Sequence, residues 1–299
     1  MKIFTIIVTY NGMQSNWIEK CLNSLRKSTV QTTPIVVDNY SNDSTCNLIA
    51  ENYPEVVLLP QKQNLGFGKA NNIGINYAIK NDADYIMLLN QDAQITNDTI
   101  EKIFNNMSKE SLCTPYQLNG NGTKLDCMFR AKLRNISSIF FDDIAKAQRM
   151  KKNYVLANFP AACWFVPTVV IKKIGGFNPL FDHYGEDDNY CNRLKFHKIR
   201  TELIPSAFMM HDRNIHGNTT VFDKNEYKKT LLIIATDINL SWSGCLHNII
   251  KATIREINKN SSKFSCLIHI LSQLLWLVKN SASINQSRKK EKQIGCTWL

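Results

Sequence analysis

A chain of 299 residues, 44% hydrophobic and 20% charged, can bury a full core and is neither disordered nor fibrous. Its nine cysteines are irregularly spaced with no C-x-x-C pair, which leaves zinc ribbons and thioredoxin-like redox sites without support. The net charge of +11 is uneven: from Cys245 to Leu299 nine Lys or Arg face only Glu256 and Glu291, a net of +7 that leaves +4 for the first 244 residues. A basic tail suits an anionic surface, and the chain as a whole does not read as nucleic-acid-binding.

The N-terminus runs from Lys2 straight into Ile3-Phe4-Thr5-Ile6-Ile7-Val8 without a charged n-region or cleavage site, so a reducing, cytoplasmic compartment and small buried cysteines are expected. Apolar runs without polar alternation predict strands over 3–9, 34–38, 56–59 and 85–90, covered on both faces. Between them, Trp17, Ile18, Cys21, Leu22 and Leu25 form one apolar stripe; Ser44 is placed to cap a helix through Tyr53; and a further helix spans 70–79. This alternation predicts a parallel, doubly wound sheet whose ligands bind beyond the carboxyl ends of the strands. A helix is predicted over 96–107 and a hairpin tip at 119–122, while 130–153 reads as a loop. Strand is predicted over 154–166, a turn at Gly175-Gly176-Phe177-Asn178-Pro179, a helix over 186–197, short strands over 199–204 and 207–210, and a helix over 224–241. The run from Phe264 to Val278 is short for a bilayer span. Ser265, His269, Ser272 and Gln273 put a weakly polar stripe on it, so it suits an interfacial helix or one packed on protein.

Four clusters fall where a ligand would lie. Asp92 ends the run Leu88-Leu89-Asn90-Gln91-Asp92; it could cap a following helix or hold Mg²⁺ or Mn²⁺ against a nucleotide diphosphate. Glu186, Asp187 and Asp188 open a helix, where acids are favoured by the dipole, but three exceed what a cap needs and one could act as a base. Asp38 follows a buried strand and suits either a base or ribose contact or an Asx turn. The stretch from Asn64 to Gly74 is glycine-rich yet lacks the dinucleotide fingerprint, and no G-x-x-x-x-G-K-[ST] loop exists.

Together, Val8-Thr9-Tyr10-Asn11, Val37-Asp38-Asn39-x-Ser41-x-Asp43, Asn64-Leu65-Gly66-Phe67-Gly68 with Asn71-Asn72-x-Gly74, Leu89-Asn90-x-Asp92, and Gly175-Gly176-Phe177 with Tyr184-Gly185-Glu186-Asp187 and Cys191-x-Arg193 resemble glycosyltransferase family 2 over about residues 3 to 215. The closest likeness is to the bacterial rhamnosyltransferase-like branch of these inverting, GT-A enzymes. The resemblance implies an α/β GT-A domain over 1–223, with a Rossmann-like, mostly parallel sheet flanked by helices. Its nucleotide-sugar half would be about 1–95 and its acceptor half about 96–223, followed by a helical, basic extension over 224–299.

It further implies a donor site of Thr9, Tyr10, Asn11, Asp38, Asn64, Gly66, Lys69, Asn71, Asn90 and Gln91, and a Mg²⁺ or Mn²⁺ held by Asp92 and His211. Asp187 would be the base, with Glu186 and Asp188 beside it, and Trp164 and Tyr184 would meet the acceptor. The expected reaction moves a sugar from a dTDP- or UDP-linked donor, rhamnose included, to a glycan or lipid-linked acceptor in bacterial surface-polysaccharide assembly. The enzyme would work in the cytoplasm or on the inner membrane face, and a homodimer is compatible. Two departures stand out: Asn90 replaces the first acid of the family's D-x-D element, and Asn189 stands where a second acid often follows the base. A non-catalytic sugar-binding module and a sugar nucleotidyltransferase are the alternative readings.

Overall fold

The computed structural model describes residues 1–133, 138–145, 150–182, 184–213, 224–259 and 263–299. Strands β1 (Ile3–Thr9), β2 (Thr33–Asp38), β3 (Val57–Pro60) and β4 (Tyr85–Leu89) form where the apolar runs predict them. They pair in parallel in the order β3-β2-β1-β4. The crossovers are α1 (Trp17–Arg26), α2 (Thr45–Asn52) and α3 (Phe67–Lys80). Alternate residues of each strand enter opposite cores: Ile6, Val37 and Leu88 join one, Ile7, Val36 and Met87 the other. Both faces are therefore apolar, which is why the strands read as unbroken hydrophobic runs. In α3, a Cβ at Gly74 would lie 2.5 Å from Ile6 Cγ2, so the glycine lets the helix lie flat on β1.

The other half of the same sheet is mixed. It is built from β5 (Ala93–Ile95), β6 (Ser111–Asn119), β7 (Tyr154–Val155), β8 (Cys163–Pro167) and β9 (Arg200–His211). β8 runs antiparallel between β4 and β6; β9 lies parallel to β6, and β5 and β7 pair antiparallel with β9. The remaining helices of this half are α4 (Thr99–Asn106), α5 (Cys127–Lys132), α6 (Ser138–Ala145), α7 (Thr168–Ile174) and α8 (Glu186–Phe196).

Several expectations need correction. The stretch 130–153, read as a loop, carries the end of α5 and all of α6; residues 134–137 and 146–149 lie outside the described residues. Asp126 caps α5 by accepting the Phe129 amide at 2.8 Å, and buried Phe129 and Phe140 anchor the two helices. The strand expected over 154–166 is interrupted around Pro160, where Leu156 and Phe159 turn into the core. The two strands expected over 199–210 are one. Pro205 is tolerated because the β6–β9 register shifts between Pro115 and Tyr116. The helix expected over 96–107 starts later, after β5.

The C-terminal part folds as α9 (Lys224–Thr236), α10 (Trp242–Lys259), α11 (Lys263–Lys279) and α12 (Ser281–Glu291). α10 and α12 lie within the 224–299 extension but were not read as separate helices. Not all of the tail's charge is solvated. Arg288 is 5% exposed and donates to the carbonyls of Ala235 (3.0 Å), Asp237 (2.6 Å) and Leu240 (2.6 Å), closing the end of α9. Buried Glu291 accepts from Asn178 at 2.6 Å and Asn189 at 3.4 Å, tying α12 to the turn before α8. The Gly176 amide donates to the Thr297 carbonyl at 2.8 Å, so the chain end also packs on that turn. In α11, His269 is buried against Tyr227, while Leu267, Ile268, Leu271, Leu275 and Val278 are exposed. The helix thus turns part of its polar stripe inward. No described helix is long and apolar enough to cross a membrane.

Candidate active site

The carboxyl ends of β1, β2 and β4 meet in a web of side-chain to backbone bonds. The Gln91 amide clamps Tyr10, accepting its N–H at 3.0 Å and donating to its carbonyl at 3.1 Å, and it also accepts the Thr9 hydroxyl at 2.5 Å. Gly12 is required beside this clamp, since a Cβ there would lie 2.6 Å from Thr9 Oγ1. Asp38 is buried and accepts Ser41 N at 3.0 Å and Ser41 Oγ at 2.5 Å, the Asx turn of the two alternatives weighed for it. Ser41 Oγ in turn accepts the Asn11 amide at 2.9 Å. Thr9 and Asp38, both buried, thus support the strand ends from beneath. Tyr10, Asn11 and Tyr40 reach the surface, with Asn11 and Tyr40 in the left-handed region at φ 50° and 74°. Tyr40 was missed by motif reasoning, although its exposure after a buried strand is what a ring stacking on a nucleobase needs.

The glycine-rich segment packs on protein. A Cβ on Gly66 (φ 80°) would lie 2.3 Å from the Asp182 carbonyl oxygen, and one on Gly68 3.0 Å from Phe177 Cβ and 3.7 Å from Glu186 Cβ. Asn64 bridges Asn39 Nδ2 and Gly66 N, each at 2.9 Å. Asn71 is 1% exposed and its amide is spent on the Phe67 carbonyl at 3.0 Å, so it does not reach a donor. Lys69 pairs with exposed Asp182 at 3.1 Å, a weak surface pair that leaves the lysine within reach of the cleft.

Asp92 is followed by β5, so it is not a helix cap. The β5–β9 ladder sets Ala93 opposite His211, and the Asp212 amide donates to the Asp92 carbonyl at 2.8 Å. Two residues 119 apart in sequence thereby meet: His211 Nε2 lies 3.1 Å from Asp92 Oδ1 and 3.4 Å from Asn90 Nδ2. Asn90 Oδ1 and His211 Nδ1 are buried without a hydrogen-bond partner. Among the described residues no three His, Cys, Asp or Glu side chains gather as a metal cage. The Asp92 carboxylate, the His211 imidazole and the unpaired Asn90 Oδ1 do fit a Mg²⁺ or Mn²⁺ that takes its other ligands from phosphate and water. Asp126, also missed by motif reasoning, stands behind His211 at 4.0 Å from Nδ1 and holds Arg213 at 2.6 Å.

The third element is the N-terminus of α8. Its floor is aromatic: Trp164 stacks on Phe177 at 5.7 Å and meets Tyr190 at 5.4 Å. Asn72 clamps Phe177, accepting its amide at 2.7 Å and donating to its carbonyl at 2.8 Å, while Arg193 donates to the carbonyls of Gly176 at 2.6 Å and of Ile174. Trp164, expected to meet the acceptor, is 1% exposed and belongs to this floor. Tyr184, by contrast, is exposed at φ 64° on the turn into α8.

The three acids are differently placed. Asp188 accepts Lys132 Nζ at 2.5 Å and Asn158 Nδ2 at 2.9 Å. Glu186 is buried against Gly68 and Phe177, and burial with the adjacent Asp187 charge pushes its carboxyl up to about 7. Asp187 is half-buried, is bonded by no other side chain among the described residues, and caps only the Asp188 amide at 2.8 Å. Burial, then the Asp188 charge, pushes it up to about 6. A reachable carboxylate with a raised pKa suits proton abstraction from a hydroxyl.

Against known proteins, residues 5–175 match the model of "Glycosyl transferase family 2". The chain is 32% identical to the dTDP-rhamnosyl transferase RfbF of Shigella flexneri over 109 residues, 36% of each chain, so the match spans about a third of that relative's length. It is 22% identical to an N-acetylglucosaminyl-diphospho-decaprenol L-rhamnosyltransferase of Mycobacterium tuberculosis, over 79% of this chain and 85% of that one. Among solved structures, S. aureus TarS 1-349 in complex with UDP-GlcNAc superposes with a TM-score of 0.60 at 17% identity, covering 98% of this chain and 88% of TarS 1-349. The fold is the GT-A fold that the motifs implied. With the matched span covering more than half of it, the chain belongs to glycosyl transferase family 2.

Proposed function

We propose that the chain is an inverting, divalent-metal-dependent glycosyltransferase of bacterial surface-polysaccharide assembly, with Asp187 as its base. The observation that carries this is the division among the three acids: Asp188 is held by Lys132, Glu186 is walled in, and Asp187 is left reachable with its carboxyl pushed up to about 6. The donor lies across the carboxyl ends of β1, β2 and β4, its base between Tyr10 and Tyr40 and its diphosphate toward Asp92 and His211. Bound there, Mg²⁺ or Mn²⁺ would offset charge on the departing diphosphate. Asp187 takes the proton of the acceptor hydroxyl as that oxygen attacks the anomeric carbon from the face opposite the leaving group, which inverts the centre. The α8 floor and the Asn72 clamp fix where Asp187 stands.

The two rhamnosyl transferases reported among the relatives favour a rhamnosyl donor, dTDP-linked by the name of RfbF, and the TarS complex keeps a UDP-sugar in view. The test is a panel of dTDP-rhamnose, UDP-GlcNAc and related donors, scored for nucleoside diphosphate release with Mn²⁺ or EDTA, with and without a lipid-linked acceptor. Acceptor-stimulated, EDTA-sensitive release is expected; pyrophosphate release would instead indicate a nucleotidyltransferase.

The extension over 224–299 works with the 1–223 domain, since Glu291 accepts from Asn178 and the Thr297 carbonyl accepts the Gly176 amide. We place the enzyme in the cytoplasm, at an anionic membrane face. Trp242, Leu246, Ile250 and Ile254 expose an apolar stripe on α10 beside Lys251 and Arg255, and α11 exposes its own stripe up to Lys279. Ile250→Glu with Leu271→Glu should abolish sedimentation with anionic vesicles. Undiminished sedimentation, or loss of a dimer with vesicle binding intact, would refute membrane contact and assign the face to protein.

A further inference from the structure

Beside the Asp92–His211 edge, the β6 hairpin and α5 line a cavity of about 540 Å³. Lys124, Arg130 and Arg213 lie on its wall. Arg213 is engaged by Asp126, whereas Lys124 and Arg130 form no ion pair with the described residues. The wall's one carboxylate, Asp126, is already spent on Arg213 and on the Phe129 amide. His211, 2% exposed, closes the recess on the side of the Asp92 edge. A concave surface with surplus positive charge suits a phosphate or diphosphate.

An adjoining cavity of about 510 Å³ shares Leu125, Cys127 and Arg130 with the first. The rest of its wall is apolar, with Tyr116, Leu133 and Phe140 inside and Phe141 and Ile144 exposed at the α6 rim. A free sugar phosphate needs only the charged recess. A molecule that uses both carries an anionic head and a hydrocarbon chain.

We propose that the two recesses form one acceptor subsite for a phosphate- or diphosphate-linked lipid, with the head among Lys124, Arg130 and Arg213 and the chain along Phe140, Phe141 and Ile144. This rests on the reading of the chain as a transferase to a lipid-linked acceptor. It adds that the acceptor's own lipid is gripped by described residues of α5 and α6, separately from the α10–α11 face.

The test uses the full chain saturated with dTDP, UDP and Mn²⁺, so that the donor site is filled, and titrates farnesyl diphosphate, farnesol and inorganic pyrophosphate. Farnesyl diphosphate should bind at least about tenfold more tightly than pyrophosphate, since burying some two methylene groups is worth that much. Lys124→Glu with Arg130→Glu should weaken farnesyl diphosphate and pyrophosphate by about tenfold or more, and Ile144→Glu should weaken farnesyl diphosphate alone. All three side chains are exposed, so the fold should survive, as circular dichroism would verify. Equal affinity for farnesyl diphosphate and pyrophosphate would mean an anion recess only and overturn the proposal, as would unchanged binding by the charge-reversed variant. If transfer from a nucleotide-sugar persists while farnesyl diphosphate fails to bind, the subsite falls and the transferase reading stands. Farnesyl diphosphate binding without any transfer would do the reverse.

Discussion

Asp187 can be separated from its neighbours by titration. Burial and then the Asp188 charge move its carboxyl from an ordinary 3.8 up to about 6, while Glu186 is moved from 4.5 up to about 7. A base works only when ionised, so with Asp187 in that role turnover should be flat above about pH 7 and fall about tenfold per unit below pH 6. Asp188→Asn removes the neighbouring negative charge and releases Lys132 from its 2.5 Å pair. Both changes favour ionised Asp187, so the acid limb should move to lower pH. Glu186→Gln should leave the limb near its original position. The assay is the initial rate of nucleoside diphosphate release at saturating donor and acceptor, from about pH 4.5 to about pH 8. A limb near pH 7 that disappears in Glu186→Gln, or one that ignores Asp188→Asn, would refute the assignment. For stability the sign is opposite: a carboxyl with a raised folded-state pKa contributes fully below its unfolded value of 3.8, and that contribution is lost as pH rises through about 6.

Asp92→Asn should weaken Mn²⁺-dependent binding of the nucleoside diphosphate by roughly tenfold or more while leaving its weak EDTA-state binding unchanged. Equal affinity with and without Mn²⁺ in the unaltered protein would remove the metal from the account. Arg288→Ala strips three carbonyls of a charged donor and should cost about 2–4 kcal/mol, measured as a drop in the urea midpoint. An unchanged midpoint would mean that α12 does not hold the end of α9.

The β1–β4 half was legible because its strands are covered on both faces and its crossovers carry single apolar stripes. Local pattern was enough there. It failed where a few long-range contacts decide the structure. α5 and α6 hang on Phe129, Phe140 and the Asp126 cap, three residues within a mixed-charge stretch that has no clear period. Arg288 and Glu291 look like solvated tail charges until carbonyls and amides about 50 and 100 residues away are brought to them.

Site residues divide along the same line. The carboxylates fall where strand ends and helix starts put them, and the β5–β9 ladder that joins Asp92 to His211 could be suspected only from motif order. One polar residue near the ligand edge was over-read: Asn71 is buried and bonds its own helix. An aromatic residue in an apolar run carries no mark of which face it takes, which is why Trp164 looked available for an acceptor and is floor instead. Tyr40, Asp126 and Lys132 went unread because their importance lies in what they stand beside.

The most direct test of the central claim is a paired measurement on Asp187→Asn. The donor's nucleoside diphosphate should bind with Mn²⁺ within about twofold of the unaltered protein, while acceptor-dependent transfer should fall by roughly a hundredfold to ten-thousandfold. Turnover close to that of the unaltered protein, with donor binding intact, would contradict the account.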